Sequence, residues 1–355
     1  MSVYSKIAIV GGSNSVMKGS YAWQLVDHHG AENFSIGGTY GIHGLMNIIK
    51  HDIFHKYNTI IFEYSLNDII YYDRFKRNDL NRIENTLTYI IKRCHQHNTK
   101  LIFIYNYRIT DVNGFKNNEV FKLYRNIAKK YNIFSIDVLE QLLNKGDYES
   151  IKREFFLDNI HLNEAGMQIL YNVIIKYFPN FTVPQYLGND SEIKFDQIKL
   201  HELGDFLPCE TFSNQLLSRQ FYGITNNLCI EFDKPTEILS IEFLSNKDSK
   251  YIEIKNSQSK LHKYLAYSKQ YTRRTGKWVC SLILFHRQKL GESKFFKIKN
   301  ISLNDVDLKI YDFLHFEPPE RREILNTSCF QVTSANLTSI LISNDANIIS
   351  IKDRA

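Results

Sequence analysis

The sequence predicts an α/β protein whose first half is a doubly wound parallel sheet and whose second half is a β-sandwich. Between residues 6 and about 178, short apolar runs rich in β-branched residues alternate with amphipathic stretches. This alternation is typical of parallel strands covered by helices on both faces. After about residue 190, short alternating runs separated by Asn, Asp, Ser, Lys and Gly replace the helical pattern. That pattern is typical of antiparallel sandwiches.

The first half contains five predicted strands and five predicted helices. The strands are the apolar runs at 7–10, 32–36, 59–64, 100–107 and 133–136. The helices have apolar residues at helical spacing and cover 14–28, 42–55, 80–97, 120–131 and 163–178. A long loop is predicted between the fifth strand and the last helix.

Polar and glycine residues follow the predicted strands where each strand ends. Ser13 follows the first strand, Gly38 the second and Asn67 the third, while Asp158 and His161 lie in the long loop after the fifth. In doubly wound sheets the ligand crevice lies at the carboxyl ends of the strands. We therefore expect these five residues to meet at one edge of the sheet.

Three of these residues suggest nucleophilic catalysis. A serine hydroxyl such as that of Ser13 is a poor nucleophile until a base takes its proton, and His161 is the candidate base. Asp158 could accept a hydrogen bond from the other ring nitrogen and so fix the tautomer. The pattern alone also allows a plainer interpretation, in which Ser13 belongs to an ordinary Gly-Gly-Ser turn and Asp158 caps the last helix.

Four short blocks resemble those of the SGNH (GDSL-type) serine hydrolases. They are Gly11-Gly12-Ser13, Asn-Phe-Ser-Ile-Gly-Gly at 33–38, Ser-Leu-Asn-Asp at 65–68, and Asp-Asn-Ile-His at 158–161 followed by Leu-Asn-x-x-Gly. The resemblance covers residues 5–178 and implies a flavodoxin-like sheet order. The sequence departs from the family pattern twice, with Gly12 in place of an aspartate and Ser65 in place of a glycine.

The resemblance implies a reaction through an acyl-serine on Ser13, with His161 and Asp158 completing the triad. It also implies an oxyanion hole formed by the backbone N–H groups of Ser13 and Gly38 and by the side-chain amide of Asn67. Without the resemblance, Asn67 would be interpreted as a turn residue.

The implied substrate is an O-acyl group, and specifically an O-acetyl group, on a carbohydrate or polysaccharide. Two reactions share the first step: hydrolysis by an O-acetyl esterase, and transfer by a cytoplasmic O-acetyltransferase of capsule biosynthesis that uses acetyl-CoA as donor. The alternative is a non-catalytic polysaccharide-binding or scaffolding protein that keeps an SGNH-like fold. The departures at Gly12 and Ser65 support that alternative.

The predicted domains are a catalytic domain at 1–180, a linker at 181–190, and a β-rich sandwich at 191–355 that could bind carbohydrate or shape the substrate site. Prolines and a glycine near 179–188 predict the linker. Three residues are weaker candidates for substrate binding, namely His43, Arg74 and Trp278. Each has a plainer interpretation, as a pocket-lining or surface histidine, a solvated arginine and a sandwich-core tryptophan.

Composition argues against several other classes of protein. No apolar run approaches the ~18 residues of a membrane span, and no secretory signal is recognisable, so we expect a cytoplasmic protein. The net charge of +6 comes without a concentrated basic tract, so we expect no nucleic-acid partner. The five cysteines are widely spaced, so we expect no metal site and no tightly bound cofactor. The oligomeric state is not predictable from the sequence.

Overall fold

A computed structural model describes most of the chain, which forms two compact units. It describes residues 6–73, 80–109, 118–186, 188, 197–213, 218–224, 227–236, 238–246, 251–256, 261–265, 277–283, 293–301, 335–342 and 345–354. The first unit lies within residues 6–188 and the second begins by residue 197.

The first unit contains a five-stranded parallel sheet. Its strands are β1 Ile7–Gly11, β2 Glu32–Asn33, β3 Thr59–Glu63, β4 Lys100–Tyr105 and β5 Phe134–Asp137. They lie in the order β2-β1-β3-β4-β5, which is the flavodoxin-like order. The predicted doubly wound sheet is therefore confirmed, although the second strand is shorter than predicted.

One row of side chains crosses the sheet and anchors the core. The register pairs Ile9 with Ile61 and Ile61 with Ile102, so these three residues lie side by side on one face. None of the three is exposed to solvent, and helix residues such as Leu25 and Leu170 pack over them. Burial on both faces explains why these strands are continuously apolar rather than alternating.

Ten helices surround the sheet in the described part of this unit. They are α1 Ser13–Val16, α2 Tyr21–His29, α3 Gly41–Lys50, α4 Ile53–Lys56, α5 Ser65–Asp73, α6 Leu80–Gln96, α7 Glu119–Lys130, α8 Val138–Leu143, α9 Tyr148–Phe155 and α10 Glu164–Tyr177. The helices α2, α8, α9 and α10 pack together, and α3, α5, α6 and α7 form a second group.

The structure corrects two of the predicted helices and the predicted loop after β5. The helix predicted at 14–28 is interrupted between α1 and α2, where Gly19 adopts a φ of 77°. The helix predicted at 42–55 is interrupted at Asp52, which has a φ of 54°. Much of the long loop predicted after β5 is helical, because Asp137 caps α8 and Asp147 caps α9 through bonds from the backbone N–H groups three residues on.

The second unit consists of two antiparallel sheets. Its strands are β6 Lys199–Glu202, β7 Glu210–Ser213, β8 Ser218–Ile224, β9 Asn227–Thr236, β10 Ile238–Asn246, β11 Tyr251–Asn256, β12 Leu261–Leu265, β13 Lys277–Ile283, β14 Ser293–Ile301, β15 Ala335–Ile342 and β16 Ile348–Arg354. One sheet runs β13-β10-β15-β8-β7 with β6 also paired to β15, and the other runs β12-β11-β14-β9-β16.

The two sheets of the second unit pack against each other, as the predicted β-sandwich requires. The ring of His201 on β6, in one sheet, lies 6.0 Å from the ring of Phe232 on β9, in the other. Both side chains are buried. The sequence of residues 308–311 also predicts a strand of this sandwich, but these residues lie outside the described ones.

The predicted linker at 181–190 is wrong for its first six residues, which pack on the first unit. Phe181 is 3% exposed and belongs to the core around the parallel sheet. The carbonyl of Thr182 accepts a hydrogen bond from the backbone of Leu101, and the N–H of Gln185 donates to Tyr131. The prolines therefore end the last helix without releasing the chain from the domain.

No helix in the described ranges has both the length and the hydropathy needed to cross a membrane.

A carboxyl group is buried at the C-terminal end of β3. Glu63 has no exposed surface, and its oxygens accept hydrogen bonds from the Gly12 backbone, the Ser15 hydroxyl and the Asn106 amide at 3.1, 2.9 and 2.9 Å. Burial raises the pKa of Glu63 to about 7, although these hydrogen bonds act in the opposite direction. Glu63 thus ties β3 to the turn that follows β1.

We predict that Glu63→Gln removes a pH dependence of stability. The folded protein retains the Glu63 proton up to about pH 7, whereas an ordinary carboxyl loses it near 4.5. Unfolding of the wild type therefore releases a proton between these values, and its free energy of unfolding falls as pH rises through this window. Relative to Glu63→Gln, the wild type should lose about 3 kcal/mol of stability between pH 4.5 and 8.

Urea unfolding of both proteins across this pH range measures the effect. Exposed Glu84→Gln on α6 is the control and should keep the pH dependence of the wild type. If Glu63→Gln also keeps it, Glu63 does not hold its proton in the folded state.

Candidate active site

Ser13 lies at the first residue of α1, directly after the turn that ends β1. The carbonyl of Gly12 accepts hydrogen bonds from the backbone of Ser15 and Val16, which starts the helix and turns the chain at the sheet edge. The Ser13 side chain is half-buried, and its Oγ lies 2.8 Å from Nε2 of His161. The structure thus joins the two residues predicted as nucleophile and base.

The other ring nitrogen of His161 is held by Asp158. Nδ1 lies 2.7 Å from Oδ2 of Asp158, while Oδ1 accepts the backbone N–H groups of Ile160 and His161, each at 2.8 Å. A carboxylate only accepts hydrogen bonds, so Nδ1 carries the proton and Nε2 is free to accept the hydroxyl proton of Ser13. This tautomer is the one a general base requires.

The environment of Asp158 keeps its carboxyl ionised. Partial desolvation raises its pKa, but hydrogen bonds from the His161 ring and from the two backbone N–H groups outweigh this effect. The pKa of Asp158 therefore lies below its ordinary value. Because the side chain is half-exposed, at 50%, this carboxylate orients His161 without the cost of a fully buried charge.

Asn67 lies against the backbone directly before Ser13. A Cβ added to Gly12 would overlap Oδ1 of Asn67. The Asn67 side chain is 7% exposed, and its Nδ2 donates to the Thr39 carbonyl at 2.6 Å. One of its two N–H donors is thereby used to fix the amide, and the other is available for a ligand.

The glycine loop after β2 also lies against the nucleophile. A Cβ added to Gly37 would touch Cα and Cβ of Ser13 at 3.4 Å. The neighbouring Gly38 has a φ of 71°, a conformation that favours glycine, and its carbonyl accepts the Tyr71 hydroxyl at 2.5 Å. Gly38 and Asn67, the two predicted oxyanion-hole donors outside α1, thus lie on segments that flank Ser13.

The sequence reasoning missed two residues that hold this site together. Tyr71 lies four residues after Asn67 on α5, and this spacing places both on one helix face, which is a signal that could have found it. Asn14 contacts the His161 loop through its side chain. Its position next to Ser13 carries no comparable signal, because the contact is 146–148 residues away along the chain.

The structure bears on one of the three weaker substrate-binding predictions. His43 is 0% exposed inside α3, so its side chain cannot contact substrate directly, and that prediction is wrong. Arg74 lies outside the described residues. Trp278 falls on β13, where the strand is described but the side chain is not, and its role stays a prediction.

Within the described ranges, no three His, Cys, Asp or Glu side chains are grouped so that they could hold a metal ion. The arrangement at the sheet edge is a hydroxyl, an imidazole and a carboxylate in a hydrogen-bonded row. Chemically, it can activate Ser13 for attack on an electrophilic carbon.

Comparisons with known proteins give structural matches only. No family model matches the chain, and no curated protein matches it. A two-domain esterase (CEX) active on acetylated mannans matches 97% of this chain and 92% of its own, with 14% identity and a TM-score of 0.57.

Two smaller proteins match about half of this chain. The acetyl xylan esterase AlAXEase matches 48% of this chain and 98% of its own, with 18% identity and a TM-score of 0.39. A lipolytic G-D-S-L protein from Veillonella parvula matches 49% and 98%, with 17% identity and a TM-score of 0.39. Together with the strand order above, the match over 97% of the chain shows that this protein shares the fold of the two-domain esterase, here a doubly wound α/β unit followed by a β-rich unit.

Proposed function

We propose that the chain is a serine esterase that removes O-acetyl groups from a carbohydrate through an acetyl-serine on Ser13. The observation that carries this proposal is the row of hydrogen bonds from Ser13 through His161 to Asp158, at 2.8 and 2.7 Å. A binding or scaffolding protein has no need of this order of groups or of this tautomer. The geometry therefore favours the enzyme over the non-catalytic alternative.

In the first half-reaction Ser13 attacks the acetyl carbon. Its proton moves from Oγ to Nε2 of His161 as the Oγ–C bond forms, and Asp158 stabilises the imidazolium. The carbonyl oxygen becomes an oxyanion that the backbone N–H groups of Ser13 and Gly38 and the second N–H of Asn67 would bind. When the intermediate collapses, the sugar oxygen leaves with the proton from Nε2.

The second half-reaction reverses these proton movements. A water gives a proton to Nε2 of His161 and attacks the acetyl-serine, and acetate then leaves as Ser13 regains its proton. The His161 side chain is 22% exposed, so solvent can reach the base that must activate this water. This exposure supports hydrolysis as the fate of the acetyl group.

The carbohydrate part of the proposal has separate support. The two-domain esterase that matches this chain over 97% of its length is described as active on acetylated mannans.

We predict that Ser13→Ala abolishes ester hydrolysis and leaves the fold intact. Loss of the nucleophile should lower kcat/KM for para-nitrophenyl acetate and for acetylated mannan or xylan fragments by at least about a thousandfold. Ser150→Ala on α9, a serine away from the site, should retain wild-type rates. Circular dichroism checks that both variants are folded, and unchanged turnover in Ser13→Ala would refute the assignment.

The alternative to hydrolysis is transfer, with acetyl-CoA as donor and a sugar hydroxyl of a surface polysaccharide as acceptor in the cytoplasm. Because solvent reaches His161, we predict that acetylated oligosaccharides release acetate without coenzyme A. We also predict that acetyl-CoA with a deacetylated oligosaccharide yields no acetylated sugar. Mass spectrometry of both mixtures, with Ser13→Ala as the blank, measures the two outcomes.

Transfer would be favoured over hydrolysis if acetyl-CoA yields acetylated sugar and acetylated oligosaccharides release no acetate.

A further inference from the structure

We propose that Asn14 is a positioning residue that holds His161 within reach of Ser13. The inference rests on the proposed function, since it concerns the same reaction. Asn14 follows Ser13 directly, and its side-chain amide is bonded on both sides of His161.

The side chain of Asn14 holds the His161 loop at two points, and we call this pair of hydrogen bonds the Asn14 clamp. Its Nδ2 donates to the carbonyl of Ile160 at 3.1 Å, and its Oδ1 accepts the backbone N–H of Leu162 at 3.1 Å. Asn14 is 1% exposed, so water does not compete for these bonds. A buried amide that lost these partners would carry a desolvation cost, which makes the paired arrangement the favoured one.

The other hydrogen bonds made by the backbone and by Asp158 shape the His161 loop but do not reach α1. The carbonyl of His161 accepts from Leu157, Asp158 binds two N–H groups within the loop, and the Asn159 carbonyl accepts from Ile109. Among the hydrogen bonds described for residues 157–162, the backbone of the loop reaches α1 through Asn14.

Asn14 connects Ser13 and the His161 loop directly. The nucleophile and Asn14 are adjacent residues, so any movement of α1 carries the His161 loop with it. Proton transfer from Ser13 to His161 depends on a separation near 2.8 Å. A misplacement of about 1 Å can cost on the order of a hundredfold in rate.

The first experiment compares Asn14→Ala with a matched control. Asn118→Ala also removes two side-chain hydrogen bonds, from Phe121 at the start of α7 and to Asp73, and Asn118 has no part in the site. We expect both variants to lose comparable thermal stability. In Asn14→Ala, kcat for para-nitrophenyl acetate and the rate of Ser13 labelling by a fluorophosphonate should fall 10- to 100-fold with little change in KM. In Asn118→Ala both rates should stay within twofold of wild type.

The second experiment separates positioning from stability. If Asn14 acts through His161, adding Asn14→Ala to His161→Ala should not lower the labelling rate further. A merely structural role would lower the rate by the same factor in both backgrounds. Asn14→Ser, which retains one hydroxyl for one of the two bonds, replaces Asn14→Ala if the latter does not fold.

The outcomes are distinguishable from failure of the proposed function. Suppose that the wild type is labelled, that Ser13→Ala is not, and that folded Asn14→Ala keeps wild-type rates. The positioning role of Asn14 would then be wrong, while the proposed esterase activity would still hold. The positioning role would also be wrong if Asn14→Ala lowers the labelling rate by the same factor in the wild type and in His161→Ala. If wild-type Ser13 is not labelled at all, both proposals fail.

Discussion

The hydrogen bond between Ser13 and His161 is the contact on which the rest of this site depends, and it joins residues that are 148 positions apart. Local structure cannot create it. It forms because parallel strands release their loops at one edge of a sheet, so that the turn after β1 and the loop before α10 meet. Asp158 then selects the tautomer, Asn14 couples the two segments, and the chemistry follows from their order.

The departure from the family pattern at Gly12 has a structural reason. Two glycines end the first strand, and each makes room for a different neighbour. A side chain on Gly12 would overlap Asn67, whereas a side chain on Gly11 would overlap the Ser15 hydroxyl and approach Oε2 of Glu63 at 3.0 Å. A side chain at position 12 would therefore require the Asn67 amide to move. The Gly12 N–H donates to the buried carboxyl group of Glu63 on β3.

The sheet and the site were predictable from the sequence because they have short-range signatures. Apolar runs identify β1, β3 and β4, and four motifs at strand ends identify Ser13, Asn67 and His161. The breaks at Gly19 and Asp52 were missed because a positive φ leaves no periodic signal, and α8 and α9 were missed because they are only six and eight residues long. Burial of His43 and the clamp by Asn14 are tertiary contacts, which no local pattern encodes.

In the proposed reaction Ser13 attacks a carbonyl carbon, and the oxygen of that carbonyl then accepts hydrogen bonds from Gly38 and Asn67. A crystal structure of the protein after reaction with an alkyl fluorophosphonate tests it most directly, because the adduct resembles the tetrahedral intermediate. We expect phosphorus on Oγ of Ser13, with the phosphonyl oxygen about 3 Å from the backbone N–H of Gly38 and from Nδ2 of Asn67. Phosphorus on another residue, or a phosphonyl oxygen directed away from Gly38 and Asn67, would contradict it.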